Sequence, residues 1–271
     1  MDAAALLVVG RNSLLAREFM ERHGDLVARA VGHAQALEEA VFAGARCVVN
    51  FAFDPALEAQ PYARALDIDL RIAGCAAARG LHYVMVSSRR VYAFDGQWNA
   101  AETAPAPGMD VYGSNKARIE RELRALLGHR LTVLRPGNVL AYEPVPGRRR
   151  FGAYLQSQLA EHGRIRLSVD PGARRDLVPI EFFCEAVRAS ALHCRAGVFN
   201  VGTGRATRVG DAARWLLEGY GGGELSAEPT RPSDEFQLDG TRLREAFGLA
   251  CAEDAVERAL RGIGRRLAPG V

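Results

Sequence analysis

A cadence constrains this chain more than any single residue does. Short apolar, β-branched runs at Leu6–Val9, Leu26–Val31, Cys47–Ala52, Leu81–Val86, Leu131–Leu134 and Val198–Val201 alternate with longer stretches of helical periodicity, among them 14–23, 61–79 and 112–127. Runs that are apolar throughout are buried on both faces, and strands joined by helical crossovers lie parallel. The cadence predicts an α/β fold, a doubly wound parallel sheet of the Rossmann type. Beyond Ala141 the pattern breaks: Gly, Pro and Arg fill 143–150, and helical patterns recur at 151–161, 177–194, 209–220, 241–247 and 254–266. A main domain of 1–143 plus about 177–203 is expected, with a smaller, discontinuous α/β lobe from 144–176 and 204–271. A chain of 271 residues suits that division.

Charge and cysteine content exclude several classes. Net charge is +3, with both signs mixed along the chain. No basic helix interleaved with aromatics and no zinc-ligand spacing appears, so neither a nucleic-acid partner nor a metal is expected. Cys47, Cys75, Cys184, Cys194 and Cys251 are odd in number and widely spaced, as buried thiols in a reducing compartment are. The opening Met1-Asp-Ala-Ala-Ala lacks a cationic leader, and the apolar run after it is too short to span a bilayer. A cytoplasmic protein without a membrane partner is expected.

Gly10 ends the first apolar run, and a helical pattern follows from Leu14. Strand, glycine turn and helix open a dinucleotide-binding unit. In Gly10-Arg-Asn-Ser13-Leu-Leu-Ala16 a glycine stands first, but serine and alanine stand where further glycines are usual. The serine hydroxyl either crowds a pyrophosphate or donates to it. Folds that bind NAD place an acid after the second strand to accept from the ribose 2′-hydroxyl. Here Ala30-Val-Gly-His-Ala34 holds none, and Arg11, with Arg29 or His33, offers a cation for a 2′-phosphate. The expectation is NADP(H) in preference to NAD(H).

The fourth run ends in Ser87-Ser88, at the strand end where open parallel sheets bind ligands; a serine there also serves as a cap. Tyr112-Gly-Ser-Asn-Lys116 begins the next helical stretch. Lys116 is the chain's one lysine beside 34 arginines, and it stands four residues after Tyr112, on the same helix face. A phenol releases its proton only near pH ~10 in water, and an adjacent cation favours the phenolate. Serine, tyrosine and lysine together can handle a carbonyl: one hydroxyl holds the oxygen and the other exchanges its proton. A nicotinamide at the sheet edge would supply or accept the hydride.

These residues resemble the extended short-chain dehydrogenases/reductases that act on nucleotide sugars, over nearly the whole chain. Val86-Ser-Ser88-Arg-Arg-Val-Tyr92 is similar to the family's Ser-Ser-x-x-Val-Tyr segment, and Tyr112–Lys116 to its Tyr-x-x-x-Lys. Leu134-Arg-Pro-Gly-Asn138, Arg174-Arg-Asp-Leu-Val-Pro-Ile-Glu181, Val198-Phe-Asn-Val-Gly-Thr-Gly204 and Arg231-Pro-Ser-Asp234 resemble later family motifs in order. The resemblance implies Ser88, Tyr112 and Lys116 as catalytic residues. It implies a cofactor held by Gly10, Arg11, Asn12, Ser13, Leu14, Leu15 and Ala16, by Phe51, Ala52 and Pro136, and by Tyr112 and Lys116. It implies a nucleotide-diphosphate sugar held by Ser88, Arg89, Asn138, Arg175 and Arg231, and a homodimer packed through helices near 62–79 and 112–127. The main domain would then bind NAD(P) and the smaller lobe the substrate.

Family dehydratases carry an Asp-Glu pair directly after the catalytic hydroxyl residue. Arg89 and Arg90 stand there instead, which disfavours dehydration. NADPH-dependent reduction of a 4-keto nucleotide sugar, with the proton from Tyr112, is the leading expectation. The missing acid, Arg11 and the compact length all favour it over an NAD-dependent C4 epimerase. Another carbonyl substrate, or a non-catalytic NAD(P)-binding or regulatory protein on the same fold, completes the alternatives.

Overall fold

A computed structural model describes residues 5–94, 97–143, 150–230 and 232–269. The first half runs β1 (Leu6–Val9), α1 (Leu14–His23), β2 (Val27–Val31), β3 (Cys47–Asn50), α2 (Ile68–Ala78), β4 (His82–Val86), α3 (Val111–Leu127) and β5 (Leu131–Pro136). The second runs β6 (Asn138–Leu140), α4 (Phe151–His162), β7 (Arg164–Leu167), β8 (Arg174–Arg175), β9 (Leu177–Pro179), α5 (Ile180–His193), β10 (Gly197–Val201), β11 (Thr207–Arg208), α6 (Val209–Tyr220), β12 (Glu224–Ala227), α7 (Thr241–Phe247) and α8 (Ala255–Leu267).

The expected doubly wound sheet is present. Its six strands are all parallel, in the order β10-β5-β4-β3-β1-β2. Alternation along each strand sends side chains to opposite faces. Leu7, Val48, Tyr83 and Met85 meet Ile72 of α2 and Ile119 and Leu123 of α3 on one face. Val8, Val49 and Val84 meet Phe19 of α1 and Phe183 and Val187 of α5 on the other. Because β2 and β3 flank β1 on opposite sides, the chain leaves β1 and β3 in different directions. That reversal opens a crevice over the carboxyl end of β1, the position at which such sheets bind ligands.

A separate core holds Leu155, Leu159, Ile165, Leu216 and Leu260, around α4, α6 and α8. Three two-stranded sheets surround it: β6–β9, β7–β12 and β8–β11. No helix of the described residues is long and apolar enough to cross a membrane.

Two helices begin later than their periodicity implies. The expected helix over 61–79 starts at Ile68, because Asp67 caps it and accepts from the Leu70 amide at 2.8 Å. The expected helix over 177–194 starts at Ile180, because Leu177–Pro179 pairs in parallel with Asn138–Leu140. Strand β7 lies in the polar stretch that follows α4, where Arg164-Ile-Arg-Leu alternates exposed and buried residues over only four positions.

Candidate functional site

The carboxyl ends of β1, β3, β4 and β5 bring Gly10, Phe51, Ser88 and Pro136 to one edge. Gly10 has φ +84°, and a Cβ there would lie 2.7 Å from the Ala52 amide nitrogen, so the turn after β1 admits glycine alone. Ser13 settles the degenerate loop locally. Its backbone is ordinary extended chain at φ −69°, and its Oγ accepts from the Ala16 amide at 3.3 Å as the N-cap of α1. The other first-turn N–H groups have no intrahelical partner, and the helix presents its positive end there. That set of donors fits a pyrophosphate. Arg11 and Asn12 are exposed, Leu14 and Leu15 are half-buried and Ala16 is fully buried. Arg29 donates to the Ala40 carbonyl, which leaves the Arg11 guanidinium and the His33 ring exposed near the acid-free end of β2. Phe51 packs between Phe19 and Phe183.

One close approach joins the catalytic candidates. The Met109 amide donates to the Arg90 carbonyl at 2.9 Å, and the Gly108 amide to Val91 at 2.7 Å. The first turn of α3 then rests directly on Arg90: a Cβ on Gly113 would lie 1.8 Å from the Arg90 carbonyl oxygen. The segment carrying Ser88 and the turn carrying Tyr112 are thus in backbone contact. Ser88 Oγ accepts from the Arg90 amide at 3.2 Å, which leaves its own proton to donate. Tyr112 is half-buried, edge-on to Phe53 at 5.2 Å between centroids, with the Arg90 guanidinium 5.5 Å from its ring. Arg90 pairs in turn with Asp110, the N-cap of α3.

Lys116 is 3% exposed. Its Nζ donates to the Val86 carbonyl at 3.0 Å, lies 4.3 Å from the Phe53 ring and faces Asp69 at 3.7 Å. Asp69, 2% exposed, also accepts from Asn50 Nδ2 at 2.7 Å and Tyr83 Oη at 2.9 Å. Burial first, and then the neighbouring Asp69 charge, hold the Tyr83 phenol well above its ordinary value, so it stays a donor. A buried ammonium needs such a partner.

Of the remaining substrate candidates, Arg89 and Arg175 converge on Asp234. Arg89 is 5% exposed and donates through Nη1 and Nη2 to both carboxylate oxygens of Asp234, with a further bond to Gln97 at 3.1 Å. It stacks on Phe236 at 3.6 Å, and its Nε is buried without a partner. Arg175 donates from Nε to the Asp234 carbonyl at 3.0 Å and lies over Phe151 at 4.8 Å. Burial lowers both guanidinium groups from their ordinary value, and Asp234 opposes the shift. Asn138 is half-buried, and its backbone N–H donates to the Asp176 carbonyl at 3.1 Å. Arg231 lies outside the described residues.

Five contributors escaped sequence reading: Asp69, Asn50, Asp110, Gly113 and Asp234. A glycine inside the first helical turn between tyrosine and lysine was a usable signal, since it lowers helix propensity and implies a packing reason. The acids gave none, because their partners are distant in sequence.

No family model matches the chain, and no curated protein matches it in sequence. Solved structures do match over its length. A UDP-N-acetylglucosamine 4-epimerase from Methanobrevibacter ruminantium M1, in complex with UDP-N-acetylmuramic acid, aligns with a TM-score of 0.84 at 15% identity, over 98% of each chain. The NAD-dependent NDP-hexosamine 5,6-dehydratase TunA, involved in tunicamycin biosynthesis, gives 0.79 at 17% over 97% of each. RMD from Pseudomonas aeruginosa, complexed with NADPH, gives 0.75 at 18% over 98% of this chain and 100% of its own. What this chain shares with them is their architecture: it has the fold of the extended short-chain dehydrogenases/reductases.

Proposed function

We propose that this protein reduces the 4-keto group of a nucleotide-diphosphate sugar, using NADPH. The observation that carries the reading is the contact between Gly113 and the Arg90 carbonyl, which sets the turn that bears Tyr112 against the segment that bears Ser88. Ser88 donates to the C4 oxygen and steadies the charge that develops on it. Tyr112 delivers the proton to that oxygen. Of the three Lys116 N–H groups, Val86 takes one and Asp69 faces another; the third is available to a cofactor ribose or to Tyr112. When bound, the nicotinamide supplies the hydride. Gly10–Ala16, Phe51, Ala52 and Pro136 would hold this cofactor, with Arg11 meeting a 2′-phosphate. Arg175, with Arg231, would hold the diphosphate, because guanidinium forks match phosphate oxygens, and Asn138 would meet the sugar-bearing end. With Arg89 committed to Asp234 and Arg90 to Asp110, neither can act as the acid or base of a dehydration.

The second reading is a C4 epimerase, which needs the same three residues. It is favoured by the match to an epimerase over 98% of that chain, which removes compact length as a reason to prefer reduction. The missing acid after β2 and the exposed Arg11 remain as support for NADPH.

The test offers 4-keto nucleotide sugars with NADPH and with NADH, and separately the corresponding 4-hydroxy sugars with oxidised cofactor, following the absorbance of the reduced nicotinamide and the configuration at C4 by NMR. Stoichiometric NADPH consumption is expected. Interconversion of C4 epimers with no net change in absorbance replaces this reading by the second, and absence of binding or turnover with every sugar overturns both. The reading also carries a homodimer through α2 and α3, which light scattering checks.

A further inference from the structure

Each cation beside the catalytic hydroxyls already has its own carboxylate. Lys116 faces Asp69 at 3.7 Å, Arg90 pairs with Asp110, and Arg89 spans both oxygens of Asp234. Each of these three cations is thus matched by its own carboxylate. Arg175 is different. Asp234 lies between the two arginines, pairing its carboxylate with Arg89 and bonding Arg175 through its backbone carbonyl, so that its charge reaches Arg175 only at longer range. Among the described residues no carboxylate stands within ion-pair distance of Arg175, whose other neighbour is the Phe151 ring. The cation of this cluster without an ion-pair partner is therefore Arg175, on strand β8.

We propose that the site takes a nucleoside diphosphate whose sugar is uncharged and discriminates against the corresponding sugar 6-carboxylate, with Asp234 as the residue that sets the choice. This rests on the reading of the site as one for nucleotide-diphosphate sugars, and it names the sugar class. A diphosphate brings its charge to Arg175, where charge is wanted. A carboxylate on the sugar must shed its hydration next to cations that are already neutralised, which is costly. To recruit Arg89 it has to displace Asp234 from a two-point pair, and the displaced carboxylate then stands beside it as a like charge. Sugar hydroxyls ask only for hydrogen bonds, which Ser88 provides without disturbing any ion pair.

Isothermal calorimetry on the protein saturated with NADP⁺ tests this. The probes are uridine, guanosine and thymidine diphosphate hexoses, each offered as the neutral hexose and as its 6-carboxylate. In at least one pair the neutral member should bind about tenfold tighter or better, the factor that corresponds to ~1.4 kcal/mol. Asp234→Asn, which uncovers the charge of Arg89, should narrow that ratio by about tenfold. Asp110→Asn keeps a good helix cap and uncovers Arg90, so it should shift the ratio the same way by about threefold, even if the first variant fails to fold. Equal or tighter binding of the carboxylate by the unaltered protein overturns the proposal. So does a ratio unmoved in whichever of the two variants fold. If no member of any pair binds, the reading of the site itself falls, and this inference with it.

Discussion

The tyrosine side of the crevice draws Tyr112, Gly113 and Lys116 from five consecutive residues, whereas the arginine side joins Arg89 to Asp234 across 145 positions. On the first side a single helix sets the spacing, and a buried carboxylate from the neighbouring helix holds the ammonium. On the second, the geometry depends on how the segment Asp234–Phe236 lies beside Arg89, at the end of β4, and beside Arg175 of β8. The difference separates two kinds of failure. Damage to the tyrosine side should appear in turnover or in global stability, and damage to the arginine side in substrate binding.

The sharpest way to test that separation is Tyr112→Phe. Turnover should fall by about four orders of magnitude, the upper range for loss of a proton-transfer group, with cofactor affinity by calorimetry nearly unchanged. Substantial residual turnover breaks the tyrosine side as described. Next comes Asp69→Ala, which strands the buried Lys116 ammonium. Removing one partner of a buried pair costs about 4 kcal/mol, so urea denaturation should show a large loss; a loss under about 1 kcal/mol removes the pair from the account.

The third prediction concerns His82, at the foot of the strand that ends near Ser88. Burial pushes its imidazole down to about 4, and its Nε2 lies 2.7 Å from Thr132 Oγ1. An unfolded histidine titrates near ~6.5, so between these values the unfolded chain holds the extra proton. The stabilisation is complete above pH ~6.5 and declines as pH falls towards 4, by about 3 kcal/mol in all. Denaturation curves across that window should show the slope, and His82→Gln should flatten it. Arg175→Ala is the arginine-side counterpart. It should raise KM by about thirtyfold, from the loss of charge-assisted bonds worth about 2 kcal/mol, with kcat held. A fall in kcat without a change in KM reverses the comparison. The smallest effect belongs to the exposed Arg11: Arg11→Ala should shrink a preference for NADPH over NADH by about fivefold, or about 1 kcal/mol, in competitive binding.

How much of this was legible in the sequence follows the same divide. The parallel sheet could be read because its strands are apolar throughout, and Tyr112 with Lys116 because four residues along a helix place them on one face. Ser13 was ambiguous as a letter and became clear only as a cap, since capping is set by backbone conformation. Arg89 and Arg90 were readable as a missing acid pair, but their ion pairs were not, because nothing in the order of the chain brings Asp234 to Arg89. The start of α5 was misread for a related reason. Leu177-Val-Pro179 carries helical periodicity, and only pairing with Asn138–Leu140 makes it a strand.

The resting of α3 on the Arg90 carbonyl has a dynamic consequence. With no room for even a methyl group between them, the segment from 88 to 92 and the first turn of α3 cannot breathe separately. Their amides, including those of Gly108, Met109 and Gly113, should exchange with solvent deuterium through one shared opening event with one free energy.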